Sequence, residues 1–368
     1  MTADGSDRLA GDLLVQAQAC EDLGSPLYAR VLRGWVDDLS RGGPVACLLA
    51  GHRSAPRDDL TGLRLLGCVH LLALTGRAPR LAAQYPSTGG TPDDDLVPAV
   101  LATLAEHAEA LAPWLEQPPQ TNEVGRSAAL VGGLLRVLAG RDLPVRLHEV
   151  GASAGLNLLA DRYRYQAGSD GRWWGPATSP VQLEDAWRGA VPDTGAGLRV
   201  VERRGSDVAP VDLRAPGAAE RLLAYVWPDQ TARLRRLRAA LRVEAEHPVV
   251  VDRLGALAAV GRAGVQEGSL TVVWHSVMWQ YVPVQEQRDT EAALDQLGGT
   301  ATTTAPLVRL SLEPDRSRPG ASARFVVTAT TWPDGTTEQL GLAAPHGVPV
   351  IWHPPTGRGD RRGSGTAA

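Results

Sequence analysis

Lysine is missing altogether: of the 368 residues, the 37 basic ones are all arginine. That absence excludes a Schiff-base lysine, a P-loop lysine and a kinase-type lysine. Cysteine is scarce. Cys20, Cys47 and Cys68 are odd in number, far apart and set in apolar contexts. They are too few for a disulfide framework and too scattered for zinc, and they read as small buried hydrophobes. No HExxH, GxSxG or Cys–His signature occurs, so no metal is expected. An excess of positive charge is lacking too, since the net charge is -4 and the pI about 6.1. Nucleic acid and anionic membranes call for a basic surface, so neither is expected as a partner. The longest near-apolar run, Leu65 to Leu74, is too short to span a bilayer. The first residues show no basic segment followed by an apolar one, so no secretory leader is read. Together these readings place the chain in the cytoplasm.

What is present suits a globular protein. At ~150 residues per domain the length gives about two domains. Residues 1–142 read as helices. Leu9, Leu13, Ala17 and Cys20 form one apolar stripe, and Leu27, Val31, Trp35 and Leu39 another. Between them Ser25 is placed as an N-cap and Pro26 as the first helical residue. From Pro144 the pattern changes. Short apolar runs of strand length stand at 145–150, 198–201, 248–251, 270–274, 307–312 and 324–331, with weaker ones at 338–342 and 348–352. Helical patterns at 229–243 and 286–297 separate some of them. Alternation of this kind implies a mostly parallel sheet covered on both faces, and the late strands without helices imply an antiparallel edge. Residues 164–197, with Trp173, Trp174 and Trp187 among Gly and Pro, read as an inserted loop or small hairpin. Residues 355–368 read as a disordered tail.

Chemistry concentrates at His148-Glu-Val-Gly-Ala-Ser-Ala-Gly-Leu-Asn157. An acid closes a strand, small residues follow, and a helix is expected to begin. Such a turn lets backbone approach a ligand closely and presents free N–H groups. In dinucleotide-binding folds it cradles a pyrophosphate. Glu149 would repel a phosphate but suits an ammonium, which favours S-adenosylmethionine over NAD. Asp207 follows the next strand, where an acid can bond a ribose diol. It lies 52 residues after Gly155, against the usual spacing of about 20, and the Trp-rich insertion accounts for the excess. Glu184 and Glu202 are rivals for the role. Asp252 closes a third strand, placed for an adenine amino group, and His275 with Ser276 a fourth. Ligands in open α/β sheets bind at such C-terminal strand ends.

These residues resemble the class I S-adenosylmethionine-dependent methyltransferases. Glu149-Val-Gly-Ala-Ser-Ala-Gly155 looks like their first motif, with Ser153 in place of the usual middle glycine. Gly205-Ser-Asp207 and Val251-Asp252 look like their second- and third-strand acids. The whole chain is more closely similar to a bacterial family catalogued only as a domain of unknown function, over roughly residues 20–353. The matching segments are Gln120-Thr-Asn-Glu-Val-Gly-Arg126, Glu149 to Leu158, Asp161-Arg-Tyr-Arg-Tyr165, Val226-Trp-Pro-Asp-Gln230 and His275-Ser276.

Other polar groups bear two readings each. Asn122, Glu123 and Arg126 cluster at one helix start, either as a cap or as ligand-facing groups. Arg162 and Tyr163 either bind a substrate acid or end a solvated helix. The resulting expectation is an α/β protein with a Rossmann-like, seven-stranded, mostly parallel sheet. It comprises a helical lid or substrate domain at 1–142 and a methyltransferase domain at 143–354. S-adenosylmethionine would be held by Glu149, Gly151, Ser153, Gly155, Asn157, Asp207 and Asp252. A small-molecule acceptor would meet Asn122, Glu123, Arg126, Arg162, Tyr163 and Tyr281, with His275 as base. The rival functions are an NAD-linked oxidoreductase and a non-catalytic nucleotide-ligand module. The oligomeric state stays open.

Overall fold

The computed structural model describes residues 3–49, 61–115, 119–139, 141–317 and 324–355. The amphipathic stripes of the first third form helices: α1 (Ala3–Asp22), α2 (Pro26–Ser40), α3 (Pro44–Leu49), α4 (Thr61–Leu74), α5 (Pro79–Ala82), α6 (Leu96–Glu106), α7 (Ala108–Leu115) and α8 (Ser127–Val137). The junction before α2 follows the expected capping chemistry. Ser25 Oγ accepts from the Tyr28 N–H at 3.2 Å, and Pro26 takes the first helical position. The same hydroxyl donates to Asp229 at 2.7 Å. α4, apolar nearly all round, is buried round most of its circumference.

Among the described residues eleven strands follow: β1 (Val145–Val150), β2 (Arg164–Ala167), β3 (Arg172–Trp174), β4 (Gln182–Gly189), β5 (Val200–Asp207), β6 (Val251–Arg253), β7 (Leu270–Ser276), β8 (Leu307–Asp315), β9 (Arg324–Trp332), β10 (Thr336–Ala343) and β11 (Val350–Trp352). Helices α9 (Ala218–Ala224), α10 (Thr231–Glu246), α11 (Ala256–Arg262) and α12 (Val284–Gly298) interleave with them. The strands form one mixed sheet in the order β3-β2-β4-β11-β10-β9-β8-β7-β1-β5-β6. β7 pairs in parallel with β1 and β8, and β5 with β6. β8 to β11 run as an antiparallel meander.

The protein is thus α/β with N-terminal helices, but its sheet has eleven strands where seven were expected. The meander is not an edge either, because β11 continues in parallel onto β4. The added strands come from the segment read as an inserted loop or small hairpin: β2 and β3 form such a hairpin, and β4 pairs in parallel with β2. Its aromatic residues explain this. Tyr165 and Trp187 are fully buried and stack 5.2 Å apart with their planes 4° from parallel. Trp187 Nε1 donates to the Ala128 carbonyl at 2.8 Å. Rings of this size bury roughly 150–250 Å² each, which outweighs the local Gly and Pro turn signals. The tail expected at 355–368 lies, beyond Pro355, outside the described residues.

The chain divides into two compact units. The first comprises Met1–Val124, Ala152–Leu159 and Arg204–Leu254. Tyr28, Leu32, Trp35, Leu65 and Tyr85 are at its core, with Trp227 packed against them. His70 is fully buried there; its Nδ1 faces the Ala224 carbonyl at 3.0 Å and its Nε2 the Ser87 hydroxyl at 2.8 Å. Burial pushes its pKa down to about 4. The second unit comprises Gly125–Gly151, Ala160–Arg203 and Gly255–Ala368. In it α8 lies close on the sheet, and a Cβ at Gly132 would meet the Trp352 ring at 2.2 Å.

Candidate functional site

In the first unit the turn after β1 is buckled by Asp207. Asp207 Oδ2 accepts from the Ser153 N–H at 2.9 Å and Oδ1 from the Ala209 N–H at 2.8 Å. Ser153 sits in the left-handed region at φ 53, a conformation this clamp supports. Two buried polar atoms of this segment, Ser153 Oγ and Asn157 Oδ1, have no hydrogen-bond partner. Gly155 allows close packing, since a Cβ there would meet Val249 at 2.8 Å and Val251 at 3.0 Å. Asp252 stands on β6 opposite Ser206, half-buried. Of the two rivals for the ribose role, Glu202 is paired with Arg146 at 2.6 Å and Glu184 is exposed on β4.

No α-helix begins at this turn. Residues Leu156–Arg162 form a 3₁₀ segment broken at Leu159. The Leu158 N–H returns to the Gly155 carbonyl at 3.0 Å, and Asn122 Oδ1 takes the Leu156 N–H at 3.0 Å. The stack of open N–H groups expected of a helix start is therefore absent here. Glu123 is buried in an ion pair with Arg233, Nε to Oε2 2.7 Å.

In the second unit the alternation of β8 sets the chemistry. Arg309, Ser311 and Glu313 share one face of the strand, as period two requires. The parallel register places His275 beside Ser311, so Arg309 and Glu313 flank it. Glu313 Oε1 lies 2.8 Å from His275 Nδ1, and Arg309 Nε donates to His275 Nε2 at 3.1 Å. This pattern requires the neutral tautomer with its proton on Nδ1. His275 is 2% exposed and stacks on Trp279 at 5.0 Å. Burial lowers its pKa, and the Glu313 carboxylate opposes that in part. The Arg309 guanidinium lies 4.6 Å over the Trp279 ring.

The loop after β7 is built round the same carboxylate. The Met278 and Trp279 N–H groups point to Glu313 Oε1 at 3.3 and 3.4 Å. Val277 turns the chain there at φ 51, unusual for a β-branched residue. Gly151, φ 74, fits under this loop, where a Cβ would meet Met278 at 2.8 Å. Arg126 Nη1 donates to the Ser276 carbonyl at 3.3 Å. Glu149 is buried on β1 beside β7.

The structure therefore brings Asn122, Ser153 and Asp207 to one turn of the first unit. It brings Arg126 and His275 to the end of β7 in the second. Others stand apart. Tyr163 is fully buried, Arg162 half-buried, and Tyr281 67% exposed. Sequence reasoning missed Arg309, Glu313 and Trp279. Polar residues at alternate positions of the apolar run Leu307-Val-Arg-Leu-Ser-Leu-Glu313 were the available signal. Among the described residues no group of three or more His, Cys, Asp or Glu is placed to hold a metal ion. No helix among them is long and apolar enough to cross a membrane.

Fold and residues together define an α/β protein with N-terminal helices, a mixed sheet and polar clusters at the ends of its parallel strands. Residues 10–352 match the model of a family described as "Uncharacterized protein conserved in bacteria (DUF2332)", and the chain belongs to that family. Comparison with curated proteins and with solved structures gives no match.

Proposed function

We propose that the protein binds S-adenosylmethionine and transfers its methyl group to a small molecule. The observation that carries this reading is the strand order β6-β5-β1-β7-β8. In that order β5 and β6 lie on one side of β1, and β7 and β8 on the other. Ligands bind outside the carboxyl ends of strands at such a switch point. The turn residues fit a nucleoside. Ser153 Oγ and Asn157 Oδ1 are buried and open to a partner, and the Asp207 carboxylate keeps acceptor capacity beside its two turn bonds. Glu149, four residues before Ser153 in the chain, is the acid that suits an ammonium. When bound, the cofactor supplies an electrophilic methyl on a sulfonium. The protein's own groups bind and orient. His275 holds a proton at Nδ1 against Glu313, and its Nε2 becomes a base once Arg309 withdraws.

Calorimetric titration with S-adenosylmethionine, S-adenosylhomocysteine and NAD tests this. At ~100 times Kd the adenosyl ligands should stabilise the fold by about 2.7 kcal/mol. Asp207→Ala should weaken them by about 1–3 kcal/mol. Tight NAD binding with no adenosyl binding would select an NAD-linked oxidoreductase instead. A second reading, a ligand-binding module without turnover, is favoured by one observation: both nitrogens of His275 are engaged. It predicts adenosyl binding unchanged in His275→Gln and no methyl transfer to any acceptor.

A further inference from the structure

Beyond the end of β5 the first unit holds a cavity of about 560 Å³. Ligand pockets run from ~300 to ~1,000 Å³. One wall is the loop from Ala209 to Gly217; Leu71, Leu222, Tyr225, Gln120 and two arginines, Arg221 and Arg253, complete it. The loop is held before any ligand arrives. Asp207 accepts from the Ala209 N–H, Val211 N–H donates to the Ser153 carbonyl at 3.1 Å, and Gln120 donates to the Ala209 carbonyl. Pro210 and Pro216 fix its backbone further. A wall of this kind loses little freedom on binding.

The lining has a definite chemistry. Leu71, Pro210, Val211, Pro216, Leu222 and the Tyr225 ring make it mainly apolar. Its cations outnumber its acids. Asp212 is the one acid in the lining, and its Oδ1 already accepts from the Arg214 N–H at 3.0 Å. Arg253 uses Nη1 on the Val208 carbonyl at 2.9 Å and is otherwise exposed. Arg221 stands near enough to Tyr225 to work against the burial that raises its hydroxyl pKa. Guanidinium groups of this kind bind planar oxyanions through paired N–H donors.

We propose that this cavity binds a small organic oxyanion, a carboxylate or phosphoryl group on an apolar body. The apolar wall takes the body, and Arg221 and Arg253 take the charged end. The inference rests on the cavity and its arginines alone and stands whether or not the protein transfers methyl groups.

Isothermal titration of the full chain, with no cofactor present, tests it using 2-naphthoate, 1-naphthyl phosphate and the neutral 2-naphthalenemethanol. We expect the anions to bind in the millimolar range or tighter and the alcohol at least roughly tenfold more weakly, as for loss of a charged hydrogen bond. Binding of naphthoate alone would narrow the class to carboxylates, and binding of the phosphate alone to phosphoryl compounds; either supports the proposal. Arg253→Gln and Arg221→Gln should each weaken the anions about tenfold. Ala215→Trp, at an exposed lining position, should take up part of the cavity and weaken binding, with an unchanged unfolding midpoint showing that the variant is folded. The proposal is overturned if neither anion binds the wild-type chain, if the alcohol binds as tightly as naphthoate, or if Arg253→Gln and Ala215→Trp bind as the wild type does.

Discussion

A buried histidine makes the stability of this protein depend on pH. His70, in the neutral form, donates from Nδ1 to the Ala224 carbonyl and accepts from Ser87. Its folded pKa is about 4, below the ordinary value of ~6.5. The unfolded chain therefore binds a proton here over a range in which the folded chain does not. Stability from His70 is complete above pH ~6.5 and falls as pH drops towards 4, by about 3 kcal/mol in all. His275 shifts in the same direction. Urea unfolding of His70→Gln between those pH values should show a shallower slope; an equal slope would remove His70 from the account. The cysteines are a second case. Burial pushes the thiols of Cys20 and Cys68 up to about 12, and the thiolate is the reactive form. Cys47 is exposed, contrary to its apolar sequence context. Iodoacetamide should modify one thiol quickly in the native protein and all three after unfolding, with Cys47 identified by peptide mapping.

At the scale of elements, the added strands depend on the Tyr165–Trp187 stack. Trp187→Ala should cost about 3–5 kcal/mol, measured by denaturant unfolding. A loss below ~1 kcal/mol would mean that β2 to β4 are held by other contacts. This dependence also explains what the sequence could tell. Every strand read at 145–150 and from 198 onward exists, displaced by three residues or fewer at its start, because those runs are apolar with clear turns between them. β2 and β3 were legible as a small hairpin, but β4 and its link to the main sheet were not, since aromatic burial against distant partners overrides local Gly and Pro. The helix expected after Gly155 failed for a related reason. Asn122, distant in sequence, takes the first N–H, and the chain tightens into 3₁₀ turns. The ends of β1 and β7 were legible as polar residues closing apolar runs. Glu313 and Arg309 were not, because their meaning lies in the register of β8 against β7, which no single stretch of sequence states.

The whole molecule is divided in space differently from its order in sequence. The first unit needs residues 1–124, a short piece at 152–159 and a long one at 204–254. Contacts within it cross that gap. Asp229 takes the Ser25 hydroxyl and the Leu27 N–H at the start of α2, and the Ala224 carbonyl takes the His70 proton. A Cβ at Gly67 would meet the Tyr225 ring at 2.5 Å, so α4 and that ring are in close contact. A fragment of residues 1–142 should therefore lack a cooperative thermal transition, and adding residues 143–254 in trans should restore one. A sharp transition in the fragment alone would show that the helices suffice.

Synthesis on the ribosome proceeds from the N-terminus, at about 5–20 residues per second. The helices of the first unit thus emerge well before the segment that caps α2 and covers α4. For about 8–30 seconds at that rate an apolar surface around Tyr28, Leu66 and His70 waits for Tyr225 and Trp227 to be made. The interleaving that stabilises the finished protein therefore creates a defined interval in which the nascent chain is a natural client for chaperones, ending only when residue 254 has cleared the exit tunnel.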